Sequence, residues 1–279
     1  MKQNVFFLIL TSIVFVASCK SQSNNNSKDT KDSVIIVKGG NVKSIANQTI
    51  AKYPNVKSIP TPDGYKRVEL TKNSFGDFLR NLELKTENNI VYLYNGEKKY
   101  NQEAQFAVLK VDVGNRNLQQ CADAVMRLRA EYLYSQKKYS DIHFNFLSDG
   151  KPRYFNNYAK GNLSHKNFRK YMNYIFSYAN TASLNDELHK VSSISDIQVG
   201  DVFIQKTVPY GHAITVMDVA INEKGEKVFM LSQSYMPAQD IHILVNLKNK
   251  KISPWYKIKS SKELYTPEWD FTYDDLRRF

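Results

Sequence analysis

Cysteine is scarce in this chain, and the residue spacings that usually bind metal ions are missing. Only two cysteines stand among 279 residues, and the sequence contains neither a Cys-x-x-Cys nor a His-x-x-x-His spacing. A zinc site needs about four converging ligands. The sequence therefore predicts no metal site, and we expect no cofactor.

Long apolar runs, glycine and proline are few as well. The only long apolar run covers residues 5–17, and the chain has 11 Gly, 8 Pro and 42% hydrophobic residues. The single short run excludes a multi-span membrane protein, and the composition excludes a collagen-like or disordered chain. The remaining residues suffice for one good-sized core or two small ones.

The N-terminal apolar run resembles the leader of a bacterial lipoprotein. It is too short to span a membrane as a helix, and it ends in Val16-Ala17-Ser18-Cys19. Small residues before a cysteine are typical of the lipobox. The resemblance implies that residues 1–18 are a signal peptide and that Cys19 is acylated and binds the lipid bilayer. We expect residues 19–59 to form a flexible tether, because their first part is rich in Ser, Asn, Lys and Asp.

The anchor and the charge together indicate a compartment and a class of partner. The net charge is +12, but the basic residues are interspersed with acidic ones and no aromatic-basic RNA motif is present. We therefore expect no nucleic-acid partner. The acidic partners of a bacterial cell envelope are wall polymers and lipid headgroups. We expect a lipid-anchored protein of the outer membrane that contacts cell-wall peptide or polymer.

Residues 60–279 have the pattern of a single α+β domain with a mainly antiparallel sheet. The longest helical signal covers residues 118–137, where Cys121, Val125 and Leu128 belong to one apolar stripe. Helical patterns precede a cluster of strand-like segments, which supports the α+β class. The strand-like segments of the last third are 202–205, 213–220, 227–231 and 241–245.

Three local signals refine this pattern. Ser74 is a candidate N-cap for a helix over residues 75–82. Thr181 or Ser183 is a candidate N-cap for a further helix that runs through Val191. The Asn95-Gly96 pair favours a hairpin between residues 90–94 and a strand at 105–113.

Cys121 has no internal cysteine partner once Cys19 is acylated. In an oxidising compartment such a thiol is a liability, unless it is buried and inert or is kept because it reacts. Its place near the start of a helix favours a thiolate through the helix dipole. Its place on an apolar stripe equally fits a packed, inert thiol. Both interpretations stay open.

His212 is the best placed of the five histidines to act as a base for Cys121, because it follows Gly211 and begins a strand-like apolar run. An imidazole base needs a third group that orients its ring. Asp218 is unsuitable, since six residues of strand at about 3.3 Å each separate it from His212. Gln233, at the end of the next strand, can accept from the ring N–H through its amide oxygen. We expect the other histidines at the surface: His143, His165, His189 and His242.

The order of these residues resembles the papain-like cysteine hydrolases, especially the NlpC-type wall peptidases, in which Cys opens a helix and His opens a later strand. The matching residues are Gly200-Asp201 before a strand and Gly211-His212-Ala213. The resemblance implies a papain-like fold, with Cys121 as nucleophile and His212 as base, and an amide of cell-wall peptides as substrate. Gln233 corresponds to the group that orients the imidazole.

Three further residues near Cys121 are candidates for contact with substrate. Gln119 or Gln120 could donate to an oxyanion, and the sequence leaves open which of them faces the thiol. Arg127 either lines a cleft for an acidic group or lies on a solvated helix face.

From about Pro60 the chain also resembles a family of bacterial lipoproteins, the domain of unknown function 4846. The resemblance implies no activity. Two functions therefore stay open: a lipid-anchored papain-like cysteine amidase or peptidase, and a noncatalytic envelope lipoprotein that binds wall polymer or a protein partner. The segments that carry the resemblance are 62–65, 74–76, 119–129, 211–213, 233–239 and 275–279.

Overall fold

The computed structural model describes residues 53–279. The expected signal peptide 1–18, the expected lipidation site Cys19 and residues 20–52 of the expected tether lie outside the described residues. Within 53–279 the protein is a mixed α+β structure with five α-helices and a mainly antiparallel sheet. The predicted α+β class is confirmed. Over the same residues, no helix has the length and apolar character needed to cross a membrane.

The helices begin where short polar side chains cap them. The Ser74 hydroxyl accepts from the N–H of Asp77 at 3.2 Å, as its sequence position predicts. Asn180 caps a later helix by accepting from the N–H of Ser183 at 3.0 Å. The predicted caps of that helix, Thr181 or Ser183, are therefore wrong, and the helix ends at Glu187, short of Val191. The helices are α1 (Phe75–Asn81), α2 (Cys121–Ser135), α3 (Phe155–Ala159), α4 (His165–Phe176) and α5 (Thr181–Glu187).

Thirteen strands lie in the described part of the chain, and nine of them form one sheet. The main path of that sheet runs β2-β9-β8-β7-β6-β13-β5, with β1 added on β7 and β10 on β8. The strands are β1 (Tyr65–Arg67), β2 (Gln105–Val108), β3 (His143–Asn145), β4 (Pro152–Tyr154), β5 (His189–Lys190), β6 (Val202–Gln205), β7 (His212–Asn222), β8 (Lys227–Gln233), β9 (His242–Leu244), β10 (Trp255–Lys257), β11 (Glu263–Tyr265), β12 (Asp270–Thr272) and β13 (Leu276–Arg278). All their pairings are antiparallel.

The prediction of a hairpin at Asn95-Gly96 is wrong about which strand pairs after the turn. The turn itself forms, because Gly96 has φ 85° and its N–H donates to the Leu93 carbonyl at 2.9 Å. The strand at 105–108, however, pairs with β9 and sets Val108 opposite His242. An Asn-Gly pair determines only the local reversal of the chain. Tertiary packing decides which strand lies beside β2.

Helix α2 is the central helix of the fold. Its residues Val125 and Met126 pack in one cluster with α4, while Ala124 and Leu128 pack in another with β7 and β8. The single apolar stripe expected from the sequence is therefore only part of a helix buried on several sides. The helix begins at Cys121, three residues later than predicted, because Gln120 has an extended backbone with φ −88° and ψ −159°.

The folded region includes residues that the sequence assigned to the tether. Val56 and Ile59 are fully buried, and the Val56 N–H donates to the Leu82 carbonyl at 3.1 Å. Each fully buried aliphatic side chain contributes about 1.5–3 kcal/mol of transfer free energy. These residues are part of the core.

Candidate functional site

Cys121 is the first residue of α2, and its thiol lies against two other elements. The Sγ atom is 3.7 Å from the hydroxyl of Thr181, which begins α5, and 3.9 Å from the carbonyl oxygen of Gly211, just before β7. The residue is 7% exposed. It lines a cavity of about 260 Å³, together with Asn117, Gln120, Asn180, Thr181, Tyr210 and Gly211.

The electrostatic surroundings hold the thiol of Cys121 in its neutral form. Burial raises its pKa, and the carboxyl group of Asp123 acts in the same direction. The Thr181 hydroxyl and the backbone N–H groups of Ala122 and Ala213 lower the pKa, but by less. In the free site, desolvation therefore exceeds the stabilisation of a thiolate that the start of the helix provides.

His212 is the first residue of β7, and its ring lies in an aromatic enclosure. Its Nε2 atom is 3.0 Å from Oε1 of Gln233, the last residue of β8. Burial lowers the pKa of His212 to about 4, so the imidazole is neutral near pH 7. The ring packs against Tyr235, Trp269 and Phe271 at centroid distances of 4.9, 5.3 and 5.8 Å.

The structure brings Cys121 beside the backbone of His212, but no hydrogen bond joins the thiol to the ring within residues 53–279. The sulfur lies 3.9 Å from the carbonyl oxygen of Gly211, and the N–H of Ala213 lowers the pKa of the thiol. Gly211 and Ala213 flank His212. The ring of Tyr235 packs on that of His212. Burial is the main cause that raises the pKa of Tyr235, and the charge of Glu268 is the next.

The two glutamines before Cys121 have different surroundings. Gln119 is fully buried, and its Oε1 accepts from Nη1 of Arg127 at 2.7 Å, while its Nε2 has no partner among the described residues. Gln120 is half-buried and lines the cavity beside the thiol. Its Nε2 donates to Oδ1 of Asn117 at 3.1 Å. Only Gln120 presents its side chain toward the space that the thiol also lines.

Arg127 neither lines this cavity nor lies on a solvated helix face, so both expectations for it need correction. It is 4% exposed, and its Nε donates to Glu131 at 2.8 Å. Its Nη1 donates to the Asp112 carbonyl at 3.0 Å as well as to Gln119. Because α2 is buried on several sides, a side chain that the sequence places on an outer face is covered by the rest of the fold.

Sequence reasoning also missed several residues around His212 and Gln233. His242, expected at the surface, is fully buried because β9 is an inner strand between β2 and β8. Glu268 and Lys99 come from distant loops, and no local pattern marks them.

Asp218 lies in an ion-paired cluster with Arg67 and Arg80, each at 2.6 Å. Within residues 53–279, no group of three or more His, Cys, Asp or Glu side chains is placed to hold a metal ion.

Comparison with protein families gives one match. Residues 56–278 match the family described as Domain of unknown function (4846). The chain belongs to this family. The match confirms the resemblance to domain family 4846, and it begins at Val56, where the buried part of the described residues also begins. Searches of curated proteins and of solved structures give no match. Membership in domain family 4846 carries no activity, so the chemistry rests on the side chains themselves.

Proposed function

We propose that this protein is a lipid-anchored cell-envelope hydrolase with a papain-like site that cleaves amide bonds of cell-wall peptides. The observation that carries the proposal is that the first residue of α2 lies beside the start of β7. Cys121 opens α2, His212 opens β7, and the sulfur lies 3.9 Å from the carbonyl oxygen of Gly211, the residue just before His212. Gln233 supplies the third group, at 3.0 Å from the ring.

The hydrogen bond to Gln233 determines which ring nitrogen acts as the base. An amide oxygen only accepts, so Nε2 of His212 carries the proton in this bond and Nδ1 keeps its lone pair. In the reaction the thiol proton moves to Nδ1 as Sγ bonds to the substrate carbonyl carbon. The imidazolium then gives that proton to the departing amine as the C–N bond breaks. Water, deprotonated by the same imidazole, hydrolyses the thioester and restores the thiol.

The free site holds a neutral thiol and a neutral imidazole rather than a preformed ion pair. Burial raises the pKa of Cys121 and lowers that of His212, because each charged form is costly in the low-dielectric surroundings. A substrate that fills the cavity and brings Nδ1 of His212 to the sulfur of Cys121 would let the thiolate and the imidazolium form together, as an ion pair. Catalytic hydrogen bonds are often long in free enzymes and shorten when substrate binds.

Gln120 is the candidate donor to the oxyanion, because it is the glutamine that lines the cavity with Cys121. The first backbone N–H groups of α2 point out of the N-terminus of the helix, where Cys121 lies. The oxygen of the tetrahedral intermediate can therefore meet several donors near the sulfur.

A noncatalytic envelope lipoprotein that binds wall polymer or a protein partner is the second candidate function. The observations in its favour are the 7% exposure of Cys121 and the absence of a hydrogen bond to His212 within the described residues. In that case Cys121 is a packed thiol with no chemical role.

The deciding experiment is an assay of the full chain on purified peptidoglycan. Amino groups released by the wild type are compared with those released by Cys121→Ala and His212→Ala, which should lose activity by about 100-fold or more. His165→Ala is the matched control, since it removes an exposed histidine. Mass spectrometry of the quenched reaction should show an acyl group on Cys121. Cosedimentation with peptidoglycan, with equal and negligible release by all variants, would support the noncatalytic candidate.

A further inference from the structure

The side-chain amide of Gln233 is held on three sides, by His212 and by two groups that have no role in the reaction proposed above, Glu268 and His242. Its Oε1 faces Nε2 of His212 at 3.0 Å. Its Nε2 lies 2.6 Å from Oε2 of Glu268 and 3.5 Å from Nε2 of His242. Gln233 is 1% exposed, so water cannot replace these partners.

Glu268 dictates which way this amide points. Its Oε2 also accepts from Nζ of Lys99 at 2.5 Å, and its Oε1 accepts from Nδ2 of Asn101 at 3.1 Å. A carboxylate paired with a lysine can only accept hydrogen bonds. The NH2 group of Gln233 must therefore face Glu268, and its oxygen must face His212.

His242 favours the same orientation independently. Its Nδ1 lies 2.9 Å from the backbone carbonyl oxygen of Asp240, which can only accept. Nδ1 of His242 therefore carries the proton, and Nε2 has a free lone pair. That lone pair faces Nε2 of Gln233 and can accept its second N–H.

We propose that Glu268 is a positioning residue that sets the tautomer of His212 through the amide of Gln233. With the amide oxygen facing the ring, Nε2 of His212 is protonated and Nδ1 is free. This part of the inference concerns the hydrogen-bond network alone. Its consequence for catalysis rests on the proposed function, in which Nδ1 is the base.

Glu268→Leu has an effect with a definite direction, because Lys99 remains behind. Nζ of Lys99 only donates, so without the carboxylate it attracts the oxygen of Gln233. A hydrogen bond from a charged ammonium is stronger than the 3.5 Å contact to Nε2 of His242, so the amide turns over and presents its N–H to His212. Nε2 must then accept, and the proton moves to Nδ1. A purely structural role for Glu268 would change stability and leave the tautomer as it is.

The test is the ¹⁵N NMR spectrum of the histidine rings in the full chain near pH 7, assigned with His212→Asn and His242→Asn. We expect the Nε2–H tautomer of His212 in the wild type, the Nδ1–H tautomer in Glu268→Leu, and the wild-type form in Glu268→Gln, which keeps an acceptor oxygen. If Glu268→Leu does not fold, Lys99→Met with Glu268→Leu removes the stranded charge. Only the 3.5 Å contact to His242 then orients the amide, so this variant should give a mixture of tautomers. Glu83→Leu is the matched control, because it removes an exposed glutamate paired with Lys110.

Two results would overturn the inference: an Nδ1–H tautomer of His212 in the wild type, or a wild-type tautomer in both folded leucine variants. The peptidoglycan assay separates this inference from the proposed function. If the wild type is active, Glu268→Leu should lower kcat by about 10-fold or more and Glu268→Gln should retain it, since the wrong tautomer of a histidine base costs up to about 10⁴-fold. If the wild type is inactive, the proposed function fails while the tautomer shift still tests Glu268.

Discussion

At the scale of single residues, the sulfur of Cys121 is subject to opposing influences of unequal size. A helix N-terminus stabilises a negative charge by about 0.3–1 kcal/mol at an exposed site. Removal of a charge from water shifts a pKa by up to 3–5 units, or several kcal/mol. The site is deeply covered, so burial prevails and the pKa of the thiol is raised. In the proposed function, substrate rather than the free site has to supply the conditions for ionisation.

Thr181→Val should raise the pKa of Cys121 further and slow its alkylation. The Thr181 hydroxyl lies 3.7 Å from Sγ and is the first of the contacts that lower the pKa of the thiol. Its loss removes a hydrogen bond to the charged form. The measurement is the rate of iodoacetamide labelling between pH 7 and 10. The rate at pH 8 should fall several-fold, whereas Thr86→Val, an exposed site, should label like the wild type. Equal rates in both variants would contradict the assignment of Thr181.

The two buried histidines make stability depend on pH. Burial lowers the pKa of His212 to about 4 and that of His242 to about 3, against an ordinary value of 6.5. The unfolded chain therefore binds more protons than the folded one below pH 6.5. The contribution of the two neutral imidazoles to the free energy of unfolding is complete above pH 6.5. It is lost as the pH falls from 6.5 toward 4.

His242→Gln should weaken this pH dependence. At pH 5.5 each buried histidine should cost the wild type about 1 kcal/mol of unfolding free energy relative to pH 7.5. Urea unfolding at the two pH values measures the loss of unfolding free energy for the wild type and for the variant. Contributions of other groups cancel when the two losses are subtracted. The variant should lose about 1 kcal/mol less than the wild type, and the matched variant is His189→Gln at an exposed position. An equal loss in the wild type and His242→Gln would contradict the prediction.

At the scale of elements, Gly211 lets the starts of α2, α5 and β7 approach one another. A Cβ atom at this position would lie 2.4 Å from the Gln205 carbonyl oxygen and 2.9 Å from Cγ2 of Thr181. Both contacts are shorter than side chains tolerate. The glycine thus keeps the Gly211 carbonyl within reach of Cys121 and holds His212 at the edge of the site.

Gly211→Ala should destabilise the fold and disturb the site together. Overpacking of this kind costs about 1–3 kcal/mol, because the end of β6 or the start of α5 has to shift. Urea unfolding measures the loss, and alkylation of Cys121 reports the local change. Gly225→Ala is the comparison, since a Cβ there meets nothing within 4 Å and only the φ of 78° is strained. Alkylation should change in Gly211→Ala alone. If Gly211→Ala is destabilised but labels at the wild-type rate, Gly211 does not shape the surroundings of Cys121.

Several elements were predictable because their signals are local. The strand at 202–205 is found with its predicted bounds, and α1 starts behind the expected cap Ser74. The partner of β2 and the burial of His242 were not predictable. A strand has the same pattern at an edge and inside a sheet when its length is only three residues, and the neighbours that cover it come from far along the chain.

At the scale of the whole molecule, the attachment of the folded domain to a membrane is still a prediction of the sequence alone. Cys19→Ala should abolish the incorporation of fatty acid and release the protein from the membrane fraction, because the lipobox interpretation makes this sulfur the site of acylation. Metabolic labelling with palmitate and fractionation measure both effects. Cys121→Ala is the matched control and should keep the label. Retention of label in Cys19→Ala would contradict the lipobox interpretation.

The sequence by itself determined the α+β class, the family and the residues worth testing, because periodicity, caps and short motifs are properties of neighbouring positions. The tertiary structure alone decided the surroundings of those residues: the burial that keeps the Cys121 thiol neutral, the covering of Arg127, and the link from Glu268 through Gln233 to His212. Desolvation and hydrogen-bond direction depend on groups brought together from distant segments. Residues 233 and 268 acquire a common role only once the chain has folded.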